Sequence, residues 1–130
     1  MKPHPEGGHY CETWRAEAAD GARPSGTAIY YLLAGHEAGH WHRVDADEIW
    51  HWYAGAPLAL SVSQTGPGQE VRYLGHDLAG GQRPQIVVPK HWWQSAHSLG
   101  EWTLAGCTVS PGFRFEGFEM APPGWSPQDS

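Results

Sequence analysis

Seventeen glycines and eleven prolines are scattered through 130 residues. Residues that permit tight turns and end regular elements, at that density, leave no room for a long helix. Between the breaks lie short runs rich in β-branched and aromatic side chains: Thr27 to Leu33, Glu48 to Tyr53, Leu58 to Ser63, Glu70 to Leu74, Gln85 to Val88, Trp92 to Ala96, Trp102 to Val109, and Phe113 to Met120. Runs of this kind at close spacing predict an all-β sandwich or barrel. Ala54-Gly55-Ala56-Pro57, Gly66-Pro67-Gly68, Ala79-Gly80-Gly81 and Leu99-Gly100 each separate two runs and read as hairpin connections. The rest divides into an N-terminal arm over residues 1–26, with a short strand expected around Tyr10 to Arg15, a barrel over residues 27–121, and a polar, proline-containing tail over residues 122–130.

A chain of this length builds one core, and eight Trp, five Tyr and three Phe supply it without disulfides. The formal charge is −6 and the eight Lys and Arg form no basic stripe, which excludes nucleic acid as a partner. No run approaches the roughly 20 apolar residues of a membrane-spanning helix, and the start, Met1-Lys2-Pro3-His4-Pro5-Glu6, lacks the apolar stretch of a secretory signal. A cytoplasmic protein with no membrane partner is expected. Cys11 and Cys107 stand far apart and outside any C-x-x-C spacing, so they are read as reduced thiols.

His40-Trp41-His42 places two imidazoles two residues apart, on one face if the segment is extended. Glu48 follows across a short turn that can return its carboxylate beside the rings, giving two histidines and one carboxylate, a set suited to a divalent metal. The same three groups equally suit a buried polar network without an ion. A second cluster runs from Val87 to His97, where alternation puts Trp92, Gln94 and Ala96 on one face.

Gly35, His40-x-His42, Glu48 and Gly55 resemble the first signature of the cupin superfamily, with the gap from Gly35 to His40 one residue short and that from His42 to Glu48 one or two residues long. Pro89-x-x-x-x-Gln94 resembles the second, with His91 in place of the usual glycine and Gln94 in place of the usual third histidine. His4-Pro5-Glu6-Gly7-Gly8, Thr27 to Leu33, Asp47-Glu48-Ile49-Trp50-His51 and Thr108 to Phe113 are similar to the short cupin-5 proteins, a domain of unknown function. That resemblance spans about Pro3 to Met120. It implies a jelly-roll barrel of two antiparallel sheets, a homodimer, and a pocket inside one barrel end. It also implies one divalent metal ion, Zn, Ni, Fe or Mn, on His40, His42, Glu48 and Gln94.

Trp50, Trp52 and Trp92 share parity with Glu48 or Gln94 and are expected to line that pocket or simply to fill the barrel. His51 faces away from Glu48 on a regular strand, yet a pKa near neutrality keeps it, with His42, a candidate general base. Tyr30 and Tyr31 alternate faces, so one of them, taken as Tyr30, is the candidate acid. Three functions remain: an isomerase, epimerase or metal-assisted enzyme on a small polar metabolite, a non-catalytic small-molecule binder, and a non-haem iron oxygenase.

Overall fold

A computed structural model describes residues 1–37, 39–66 and 68–127 of the chain. In chain order its strands are β1 (Lys2–Pro3), β2 (His9–Arg15), β3 (Thr27–Ala34), β4 (His42–Val44), β5 (Asp47–Gly55), β6 (Leu58–Ser63), β7 (Glu70–Leu74), β8 (Gln85–Val88), β9 (Trp93–Ser98), β10 (Trp102–Ser110) and β11 (Phe118–Met120). They form two antiparallel sheets, a first in the order β1-β2-β3-β10-β5-β8 and a second in the order β11-β4-β9-β6-β7. No helix among the described residues is long and apolar enough to cross a membrane.

Period-two patterning makes the sandwich. In β3, Tyr31 and Leu33 turn inward while Tyr30 stays exposed, and in β5 Trp50 is buried between half-buried neighbours. These meet Leu58, Leu60 and Val62 of β6, Leu74 of β7 and Val88 of β8 in one core. The edge-to-face pair of Tyr31 and Trp50, centroids 5.6 Å apart, lies at its heart.

Of the four expected hairpins, only the one between β6 and β7 joins paired strands; Pro67 of its Gly66-Pro67-Gly68 turn lies outside the described residues. The turns at Gly55, Gly80 and Gly100 carry the chain from one sheet to the other. Turn residues specify a reversal; which sheet receives the next strand depends on the face it must bury. The arm joins the barrel outright, since β1 pairs with β2 and β2 with β3. Phe113 to Met120 is not one strand: Phe115–Gly117 forms a 3₁₀ turn before β11. Asp45 occupies the space a Gly117 side chain would need, and Asp45 N–H bonds the Gly117 carbonyl at 3.0 Å. In the tail, Trp125 packs against Trp93 with centroids 4.7 Å apart.

Candidate functional site

A cavity of about 100 Å³ opens at one barrel end, walled by Ile29, Val44, Val109, Phe113 and Phe118 and carrying His4, Glu6, His42, Glu48 and Cys107. Glu48 is the second residue of β5, flanked by Val88 and Val109 on the neighbouring strands. Across the barrel, His42 of β4 pairs in register with Gln94 of β9. Backbone register therefore sets these three inward-facing groups opposite one another.

Gln94 orients the carboxylate. The indole of Trp50 can only donate, and its Nε1–H bonds Gln94 Oε1 at 2.9 Å. That fixes the amide so that its Nε2–H donates to Glu48 Oε1 at 2.9 Å. The Cys107 thiol also bonds Glu48, and both bonds favour its ionised form. Burial outweighs them and raises the Glu48 carboxyl to about 7.

The other half of the site comes from the first eight residues. His4 N–H bonds the Gly8 carbonyl and Gly7 N–H the His4 carbonyl, each at 2.9 Å, closing a turn with Gly7 at φ 103° and Gly8 at φ 76°. A side chain at Gly8 would meet the Tyr31 hydroxyl, which donates to the Gly7 carbonyl. Tied down in this way, the turn aims His4 and Glu6 into the barrel, both buried. His4 Nδ1 accepts from Glu6 N–H at 3.1 Å, so its proton sits on Nε2. His42 Nδ1 donates to the His40 carbonyl at 2.9 Å, which leaves the Nε2 lone pair 3.1 Å from Glu6 Oε2. That oxygen is buried and has no hydrogen-bond partner of its own. Burial lowers both imidazoles to about 4. Burial, and then the charge of Glu48, push the Glu6 carboxyl well up. Burial thus favours the neutral form of both partners, the His42 imidazole and the Glu6 carboxyl.

The structure thus brings His42, Glu48, Gln94 and Trp50 together and leaves other expected residues elsewhere. His40 is exposed and precedes β4, which begins at His42. Tyr30 is exposed and packs on Tyr53, while Tyr31 takes the inward place. His51 lies outside the barrel, 3.2 Å from Thr108 Oγ1 and stacked on Tyr53. Trp52 packs partly on the core and stacks on His76. Trp92 lies just before β9 and carries Arg72 over its ring at 5.8 Å.

The implied metal set does not fit. His40 is absent from the cavity, the Gln94 oxygen is held by Trp50, and among the described residues no three His, Cys, Asp or Glu side chains converge as ligands. Motif spacing does not mark His4 and Glu6 as site residues. Their signal was the Gly7-Gly8 pair directly after them, which marks a tight turn rather than a loose arm.

The chain matches the Cupin superfamily (DUF985) over residues 1–121. It is a cupin of that family. A Shewanella oneidensis protein is similar at 39% identity and TM-score 0.87, the match covering 92% of this cupin and 77% of that chain. A hypothetical protein from Leishmania major is similar at 30% identity and TM-score 0.83, covering 92% and 81%. Oxalate decarboxylase from Bacillus subtilis shares the fold at TM-score 0.69 and 10% identity, with 91% of this cupin covering 29% of that chain. Comparison with curated proteins gives no match. The backbone retains one further mark of the signature: His91, at the usual glycine position, holds a φ of 69°.

Proposed function

We propose that this cupin binds a small polar molecule in its barrel and moves a proton on it, as an isomerase or epimerase does. The observation that carries the reading is Glu48, a buried carboxyl on the cavity wall raised to about 7 and oriented by Gln94. A general base works best when its pKa lies near the operating pH. Ionised Glu48 takes a proton from a carbon next to a carbonyl. The C–H electron pair passes into the enolate, and the carboxyl proton of neutral Glu6, beside His42, returns to carbon, so atoms and charge balance without an oxidant.

The test is exchange of substrate C–H for deuterium from solvent, followed by proton NMR across a panel of hydroxy acids, keto acids and sugars. Exchange that disappears in Glu48→Gln supports the reading. Binding without exchange in the parent would instead assign a non-catalytic binding protein.

We further infer a homodimer through the outer face of the first sheet, where Tyr30, Tyr53, Val87 and Trp102 are exposed. Gly106 lies beneath the Tyr53 ring, where any side chain would collide, so the ring lies flat along the sheet. Light scattering should give twice the chain mass, reduced to one by Tyr30→Glu. Exposed Cys11 and buried Cys107, both unpaired, favour the cytoplasm.

A further inference from the structure

The wall and the rim of the cavity differ in charge. The wall carries carboxyls and imidazoles, whereas the rim carries Glu12, Arg15, Arg114 and Phe115. Arg15 grips Glu12 at two points, 3.0 and 2.8 Å, and its Nη2 also donates to the Phe113 carbonyl at 3.3 Å. That last bond draws the guanidinium to the residue directly before Arg114. Arg114 makes one bond, from Nη2 to Asp45 Oδ2 at 3.3 Å. Asp45 is already held by both terminal nitrogens of Arg23, at 3.1 and 2.7 Å.

A guanidinium offers five N–H donors. Most of those on Arg114, and the Nη1 pair on Arg15, are therefore without a protein partner among the described residues. Glu12 faces Arg15, and Asp45 is shared by Arg23 and Arg114, so three guanidiniums meet two carboxylates here and the mouth carries an excess of one positive charge, in a chain of formal charge −6. Between rim and wall, Phe113, Phe115 and Phe118 pack edge to face, with centroids 5.0 to 6.3 Å apart, and give the passage an apolar side. At the deep end lies Glu48, whose ionised form repels an anion.

Resting on the reading of the cavity as a binding site, we propose that the ligand carries an anionic end group, a carboxylate or a phosphate, held by Arg114 and Arg15. Its uncharged body, bearing a hydroxyl or carbonyl, passes the phenylalanines to reach Glu48 and His42. Arginine suits this place because its planar fork matches both end groups, and the anion fixes which end of the ligand enters first.

The test is calorimetric titration of the full chain with hydroxy acids and sugar phosphates, each paired with its uncharged amide or unphosphorylated sugar. At least one anion should bind about tenfold more tightly than its neutral counterpart, and Arg114→Gln should remove about that factor without changing binding of the neutral member. A preference among the acids assigns a carboxylate, and one among the sugar phosphates assigns a phosphate. Equal binding within every pair, no binding by any anion, or an affinity unchanged in the Arg15→Gln, Arg114→Gln double variant would overturn the proposal. Neutral members that bind as tightly as their anions in every pair, and fail to bind Glu48→Gln, would overturn it while leaving the cavity reading intact. Both arginines are partly exposed, so thermal unfolding of the variants should match the parent.

Discussion

The two faces of the first sheet are built from adjacent residues and have nothing else in common. Tyr30 is exposed and Tyr31 is 1% exposed; Trp50 is sealed in the core and His51 sits beside a surface threonine. Inside, Tyr31 and Glu48 are each held by a named partner and burial displaces their proton affinity. Outside, the same residue types stack on one another as one apolar surface. A single step along a strand thus separates acid–base chemistry from association, because low dielectric acts on one face alone.

The largest effect that tests this contrast is Trp50→Ala, which removes a core ring and the donor that fixes Gln94. A loss of about 3–5 kcal/mol in denaturant unfolding is expected.

Next comes the pH response of Glu48→Gln. The native Glu48 carboxyl titrates at about 7 against an ordinary 4.5, so between those values the folded state keeps a proton that the unfolded state releases, and stability falls as pH rises. His4 and His42, lowered to about 4 from 6.5, act oppositely between those two values, and they do so in parent and variant alike. From about pH 5 to pH 8 the variant should therefore gain on the parent by on the order of 3 kcal/mol. A flat difference would remove Glu48 as the raised carboxyl.

A third comparison sets His42→Gln against His51→Gln in the deuterium exchange assay. The inner change should cost at least about 100-fold and the outer one less than about twofold. The smallest effect is at the exposed corner before β9. His91 holds a positive φ that glycine adopts freely, so His91→Gly should raise stability by up to about 1 kcal/mol in thermal unfolding.

The strands were legible because their signal is local. Leu58–Ser63, Glu70–Leu74 and Gln85–Val88 have the bounds that composition and turn residues suggest. Parity placed Trp50 and Glu48 inward for the same reason. It failed at His40, because alternation holds only within a strand and β4 begins at His42. It could not decide between Tyr30 and Tyr31, since both flank the same peptide and only the packing of Trp50 and the Gly7–Gly8 turn selects one. Half of the site was hidden for a further reason. Glu6 meets His42 across 36 positions of sequence, and no periodicity within either segment reports that contact.

The turn from His4 to Gly8 has a consequence for how the protein is made and handled. Residues 4–8 complete the cavity wall by docking on Tyr31, whose strand β3 is paired on both sides only once β10 is in place. The cavity is consequently a late product of folding, closed from the amino end like a cork. A cut or insertion at residues 4–8 acts directly on the chemistry inside the barrel, while one next to Trp125 meets the indole packing on Trp41 and Trp93.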